Sequence, residues 1–322
     1  MARWISFVNF KGGVGKTTLT AETAARLAFA HNKKVLLVDM DPQTNCSLYF
    51  MTYQQWFQHV EKNGSLKDLF EAYLRSGLSG RVFDASRVVL QNFYVNADTG
   101  GKSLPNLSLI PAHIEMMGVE ADLAFDVGRK AGAPGHLEKV EGLKRFYEIV
   151  NILKSALAPI AENYDYIFFD CPPSIGLLTQ NALVASDAYV IPTIPDYLST
   201  VGITFLELRV KQMVEWVSQA RRATGVADPF NGPVRKGIVL SRVRVSRWGP
   251  PLTLVSPQDI VHRRLQQDKN LSRLLFESFL SESARVQESA EEHMPVGIRS
   301  GNAHKQWREQ VEAISDEFLR RV

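Results

Sequence analysis

The 322-residue sequence has only two cysteines, Cys46 and Cys171, far apart along the chain. That scarcity argues against a disulfide framework and suits a reducing cytoplasm. No apolar run approaches the ~18–20 residues needed to span a bilayer. The N-terminus enters Arg3-Trp4-Ile5-Ser6-Phe7-Val8 at once, without the basic, apolar and small-residue succession of a signal peptide. A cytoplasmic protein is therefore expected. There is no internal repeat and no low-complexity tract. The seven histidines form no H-E-x-x-H or paired Cys/His spacing, so a metal enzyme has no support. What is present, 45% hydrophobic and 22% charged residues, suits a globular chain with one large α/β domain or two small ones.

Charge is nearly balanced overall and unevenly distributed. Thr200 to Leu275 carries 13 Lys/Arg against 5 Asp/Glu, a local +8 in a chain of net +3. Such asymmetry points to a polyanionic partner, although solvated helix faces give the same count.

Short apolar runs recur at Ile5–Val8, Val35–Val38, Ile167–Phe169, Tyr189–Ile191 and Ile238–Leu240. Strands buried on both faces, typical of parallel sheets, have this composition. Helical patterns lie between them: Thr18 to Ala30, Val201 to Ala223, and a start at Ser256-Pro257-Gln258-Asp259. The alternation predicts a doubly wound, mostly parallel α/β sheet flanked by helices. Ala303 to Val322 reads as an amphipathic helix with Trp307, Val311, Ile314 and Phe318 on one stripe. Its mixed polar face suits docking on the domain better than a lipid surface. Residues 79–105 and 126–136, rich in Gly, read as loop insertions in a single domain covering 1–322.

The segment Asn9-Phe10-Lys11-Gly12-Gly13-Val14-Gly15-Lys16-Thr17-Thr18 follows an apolar strand and opens a helix. Glycines let backbone N–H groups approach phosphates, and a helix N-terminus favours negative charge. Lys16 supplies a point charge to the β- and γ-phosphates, and the Thr17 hydroxyl suits Mg²⁺. Gly12, Gly13, Val14, Gly15, Lys16, Thr17 and Thr18 are thus the expected nucleotide contacts. The usual G-x-x-x-x-G-K-[ST] pattern wants Gly where this chain has Phe10, and an extra lysine, Lys11, precedes the glycines.

Lys11 to Thr18 resembles the deviant phosphate loop of the ParA/MinD family of partitioning and positioning ATPases. Val38-Asp39-Met40-Asp41-Pro42-Gln43 is similar to that family's first switch, and Ile167-Phe168-Phe169-Asp170-Cys171-Pro172-Pro173-Ser174 to its second. The likeness continues through Leu66–Phe70, 106–112, Ile191–Ser199 and Glu291–Val296. It implies that Lys11 reaches the phosphates of a second subunit, that Asp41 positions the attacking water, and that Asp39 and Asp170 lie at the metal. It further implies Pro295 near the adenine, ATP and Mg²⁺ as cofactors, and slow hydrolysis stimulated by a ParB-like or other adaptor. The implied matrix is nonspecific DNA, making the ATP-bound dimer nucleoid-associated. Ser241 stands where many relatives carry an adenine-reading asparagine, so the base contact is an open point. The early first strand resembles the short partitioning ATPases that lack an N-terminal helix-turn-helix domain.

The candidate DNA contacts are Arg242, Arg244, Arg247, Arg263, Arg264, Arg320 and Arg321, within or near the basic region. Alternative readings are a MinD-like membrane-associated ATPase and a small-molecule kinase or ligase on the same fold. A cluster-bearing reductase needs more thiols than two.

Overall fold

The expected strands form the middle of one sheet. β1 (Arg3–Phe7), β2 (Val35–Asp39), β6 (Tyr166–Asp170), β7 (Ala188–Thr193) and β8 (Val234–Val243) join two further strands, β5 (Leu107–Ile110) and β11 (Leu275–Ser281). The order is β11-β8-β7-β1-β6-β2-β5, and every pairing is parallel. β2, β5, β6 and β7 are buried along their whole length, which accounts for their unbroken apolar composition. The computed structural model describes residues 1–76, 83–91, 94–95, 102–131, 136–228, 230–247 and 253–322, without the side chains of 94, 129–131, 136–139, 247 and 253.

Two hydrophobic layers sandwich the sheet. One is covered by α4 (Leu66–Ser76), α5 (Met116–Ala131), α6 (His136–Val150), α7 (Ile152–Leu157), α8 (Leu177–Ala185), α9 (Tyr197–Ala223) and α10 (Ser256–Gln267). The other is covered by α1 (Lys16–Ala30), α2 (Asn45–Phe50), α3 (Tyr53–Asn63) and α12 (Lys305–Arg321). The short α11 (Ala284–Glu291) packs against α2.

β11 escaped the sequence pattern because Glu277 and Ser278 interrupt its apolar run. It is an edge strand, and α12 satisfies its free amides. Glu317 accepts from the backbone N–H groups of Glu277 and Ser278 at 3.1 and 3.0 Å, and Gln310 accepts from that of Ser281 at 2.9 Å. Side chains that cover an edge in this way also block pairing with another chain.

The expected amphipathic stripe is what docks α12. Val311, Ile314 and Phe318 are buried, and Trp307 Nε1 donates to Ser281 Oγ at 2.9 Å. The Phe318 ring lies 5.2 Å from Phe168, 6.0 Å from Tyr166 and 6.2 Å from Phe7. Phe318→Ala is expected to lower unfolding free energy by about 3–5 kcal/mol in a urea titration, the range for emptying a buried Phe site. A loss under about 1 kcal/mol would show a helix lying loosely on the domain.

The loop expected at 126–136 is corrected: α5 continues to Ala131 and α6 starts at His136. A Gly inside a helix costs about 1 kcal/mol. Gly128 is tolerated because α5 is tied laterally to α6, where Arg145 Nε donates to Asp126 Oδ2 at 2.6 Å. Residues 132–135 lie outside the described residues. Of the 79–105 segment, Ala85–Val88 forms a 3₁₀ turn capped by Asp84, and Leu90 bridges Leu109 of β5. The two-residue strands β3 (Tyr94–Val95) and β4 (Lys102–Ser103) pair with each other, and the rest lies outside the described residues. A second small ribbon, β9 (Val245–Arg247) with β10 (Thr253–Leu254), follows β8.

Candidate nucleotide site

In a parallel sheet the carboxyl ends of the strands, near the point where strand order reverses, form the natural crevice. β1 is central here, and residues 8–15 leave its carboxyl end and turn into α1. The turn demands glycine at two places: Gly13 has φ 72° and Gly15 has φ 77°. At Gly15 even a methyl group would meet Ser241 Oγ at 3.2 Å. Phe10, standing where the common loop has Gly, packs its ring against the core instead of opening the loop.

A cavity of about 650 Å³ opens on this loop. Gly12, Gly13, Gly15, Lys16, Thr17 and Thr18 line one end, and Asp41 lines it from the carboxyl end of β2. Val14 is fully buried and lends only its backbone, with its carbonyl accepting from Ser241 Oγ. Lys16 is buried and donates to the Lys11 carbonyl at 3.2 Å. Burial pulls its ammonium pKa down, against the opposing pull of Asp170.

Of the three candidate metal residues, Thr17 and Asp170 meet each other and Asp39 does not join them. Thr17 Oγ1 donates to Asp170 Oδ2 at 2.7 Å, so the hydroxyl and carboxylate already meet at the loop. Asp39, in register with Asp170 on the neighbouring strand, is turned away. Its Oδ2 accepts from Ser47 N and Ser47 Oγ at 2.8 and 2.6 Å, and its Oδ1 accepts from Asp41 N at 3.2 Å. Neither Asp39 nor Asp170 lines the cavity itself; with its oxygens engaged by Ser47 and Asp41 N, Asp39 braces α2 and Asp41 from beside Asp170. Burial, then the Asp170 charge, pushes Asp39 up to about 8; burial pushes Asp170 up to about 7. Two carboxylates buried this closely call for a cation beside them. Mg²⁺ takes one or two carboxylates, waters and phosphate oxygens, a set that Thr17 and Asp170 fit.

Lys11 lies outside the cavity lining. Its Nζ donates to Asp196 Oδ2 at 2.7 Å and Ser199 Oγ at 3.2 Å, at the start of α9, and its side chain remains 40% exposed. Asp196 also caps α9, accepting from Ser199 N at 2.8 Å.

Pro295 does not line the cavity. The far wall of the cavity is built by Leu280 to Ser283, α11 and His293, whereas the turn after Pro295 faces inward. There Val296 N and Gly297 N each donate to Glu22 at 2.7 Å, and Glu22 also accepts from Tyr49 Oη at 2.7 Å. Neither this buried network nor the α11 wall carries a sequence motif. The nearest signal was the Glu291–Val296 likeness, whose Glu291 and His293 belong to the wall.

The arginines do not form one open cluster. Arg242, at φ 51°, lines the cavity and donates to the Gly13 carbonyl at 2.9 Å. Arg242 and Arg244 share Glu282 at 2.8 and 2.5 Å, and these bonds, Arg244 first, hold its carboxyl below the usual range. Arg263 pairs with Asp259 at 2.9 Å, while Arg264 and Arg320 are exposed. Arg321 donates to the Arg273 and Leu275 carbonyls, both at 3.0 Å. The Arg247 side chain lies outside the described residues.

The family model described as AAA domain matches residues 2–220. The sporulation initiation inhibitor protein Soj of Bacillus subtilis is 32% identical over 284 residues, covering 80% of this chain and 93% of that protein. The chromosome-partitioning ATPase Soj of Treponema pallidum is 30% identical over 227 residues, 70% of each chain. Among solved structures, a McdA variant from Cyanothece in complex with ATP superposes with a TM-score of 0.63 at 16% identity, covering 98% of this chain and 96% of that one. The matched AAA domain, the Soj relatives and the loop geometry together show that this chain belongs to the ParA/MinD family of P-loop ATPases.

Proposed function

We propose that this chain is an ATP-driven dimerisation switch. ATP binds with its phosphates on the loop of residues 12–18, and Thr17 and Asp170 would hold Mg²⁺. When bound, the ion neutralises charge on the β- and γ-oxygens. Lys16 contributes a second positive charge, and Asp41 orients the water that attacks the γ-phosphate.

The observation that carries the reading is the position of Lys11. Lys16 already serves the loop, so a second lysine there is redundant within one subunit. Lys11 is held beside the loop by a half-exposed ion pair with Asp196. Exposed pairs are worth only about 0–1 kcal/mol, so the lysine is easily surrendered to a phosphate. A second copy offers one, across a two-fold axis that brings two loops face to face.

In this reading the paired form binds nonspecific DNA, and a ParB-like or other adaptor triggers hydrolysis and release. The protein is then cytoplasmic, sitting on the nucleoid while ATP-bound. The local +8 between Thr200 and Leu275 supports DNA as the matrix. The exposed Arg264 and Arg320 are better placed for phosphates than Arg242 and Arg244, which Glu282 engages, or Arg263, which Asp259 engages. A dimer doubles the phosphate contacts, and each neutralised phosphate adds roughly 0.9 to the slope of log affinity against log salt. Binding to two unrelated duplexes is expected to be equal in affinity, tighter with ATP, and steeper in salt with ATP. Salt-insensitive binding, unchanged by ATP, would remove DNA and favour a membrane as the matrix.

A further inference from the structure

Beyond the phosphate loop the cavity runs on between α2 and α11. Leu48 and Tyr49 line it from α2, Val286 and Ala290 from α11, and Leu280 from β11. Apolar walls on two packed helices suit the faces of a planar ring. Faces alone do not distinguish one base from another; that needs a polar group at the ring edge.

The polar groups of this region are mostly committed. Ser241 is buried, and its hydroxyl meets the carbonyls of Val14 and, at 3.2 Å, Thr193. It is therefore spent on the backbone and cannot replace an asparagine that reads adenine. Glu282 is held by Arg242 and Arg244, and Tyr49 Oη by Glu22. Ser283 Oγ accepts from Arg285 N at 3.0 Å, and His293 Nδ1 bonds to the Leu48 carbonyl at 2.7 Å. Gln287 and Glu291 differ: both line the cavity from α11 and are exposed, and neither side chain has a hydrogen-bond partner among the described residues. Of the two, only the Gln287 amide offers a donor beside its acceptor.

We propose that Gln287 reads the base: its side-chain amide accepts from the adenine N6 amino group and donates to N7. This rests on the reading of the chain as ATP-binding. A carboxamide matches that donor–acceptor pair in a bidentate way. Guanine presents two acceptors, O6 and N7, on the corresponding edge, so the amide oxygen of Gln287 would face O6 without a proton between them. The site therefore selects ATP over GTP, with selectivity carried by α11 instead of the loop after β8.

The test is equilibrium binding of fluorescent ATP and GTP, with Mg²⁺, to the full chain and to two variants. Wild type is expected to prefer ATP. Gln287→Ala should reduce that preference by about 10-fold or more, the range for losing one bidentate base contact, through weaker ATP binding. Gln287→Glu, similar in size but without the N–H donor, should reduce it too, which separates hydrogen bonding from packing. Both variants should melt like wild type, because the side chain is exposed. ATP binding with an undiminished preference in Gln287→Ala overturns the assignment, as does a wild type that binds both nucleotides equally. A wild type that binds neither overturns the ATP-binding reading as well.

Discussion

Asp41→Ala is expected to slow ATP turnover by about 10²–10⁴-fold, the usual contribution of a group that handles the proton of the attacking water. The carboxylate lines the cavity at the carboxyl end of β2, opposite the loop that carries Lys16. Its Oδ1 accepts from Gln43 N at 3.0 Å, and its own N–H is anchored on Asp39, so the side chain is held in one place. The phosphate cradle of Gly12 to Thr18 does not depend on it. ATP affinity should accordingly stay close to wild type while the chemical step fails. On the proposed cycle that combination accumulates an ATP-locked dimer. Single-turnover hydrolysis with a parallel binding titration separates the two effects. Turnover at the wild-type rate would remove Asp41 from the reaction, and lost binding would make it a structural support of the site.

That Asp41 and Lys16 line one cavity was readable in advance because both sit in short, local motifs. Strand, glycine turn and helix follow one another within residues 3–30, so the loop geometry is nearly a property of the sequence. The central strands were readable for a related reason, since burial on both faces leaves an unbroken apolar run. β11 was not, because an edge strand answers to its partner: Glu277 and Ser278 belong there only once Glu317 of α12 accepts their amides. Asp39 and Pro295 show the same limit at the site. That the Asp39 carboxylate turns to Ser47 on the next helix, and that the turn after Pro295 packs on Glu22 at the other end of the chain, is decided by side chains outside the motifs themselves. The arginines read as one group along the sequence for that reason. Arg242 and Arg244 stand beside Glu282, forty and thirty-eight positions onward, which charge counting along the sequence cannot see.

Lys11→Ala is expected to abolish ATP-dependent self-association while leaving nucleotide binding largely intact. Lys16 bonds the Lys11 backbone carbonyl, which alanine retains, so the loop keeps its form. What is lost is the ammonium now resting on Asp196 and Ser199. Truncating one partner of a desolvated charge pair costs about 2–5 kcal/mol at an interface. A two-fold dimer loses two such pairs, so association should fall by several orders of magnitude. An Asp196→Asn variant offers the opposite sign: a weaker hold on Lys11 in the single subunit should favour the dimer slightly.

The central claim, that ATP joins two copies, is tested most directly by light scattering of the purified chain with Mg²⁺ and a slowly hydrolysed ATP analogue. The mass should move from 36.1 kDa towards twice that value for wild type and stay at 36.1 kDa for Lys11→Ala. A wild type that binds the analogue and remains a monomer, or a Lys11→Ala variant that dimerises equally well, would contradict it.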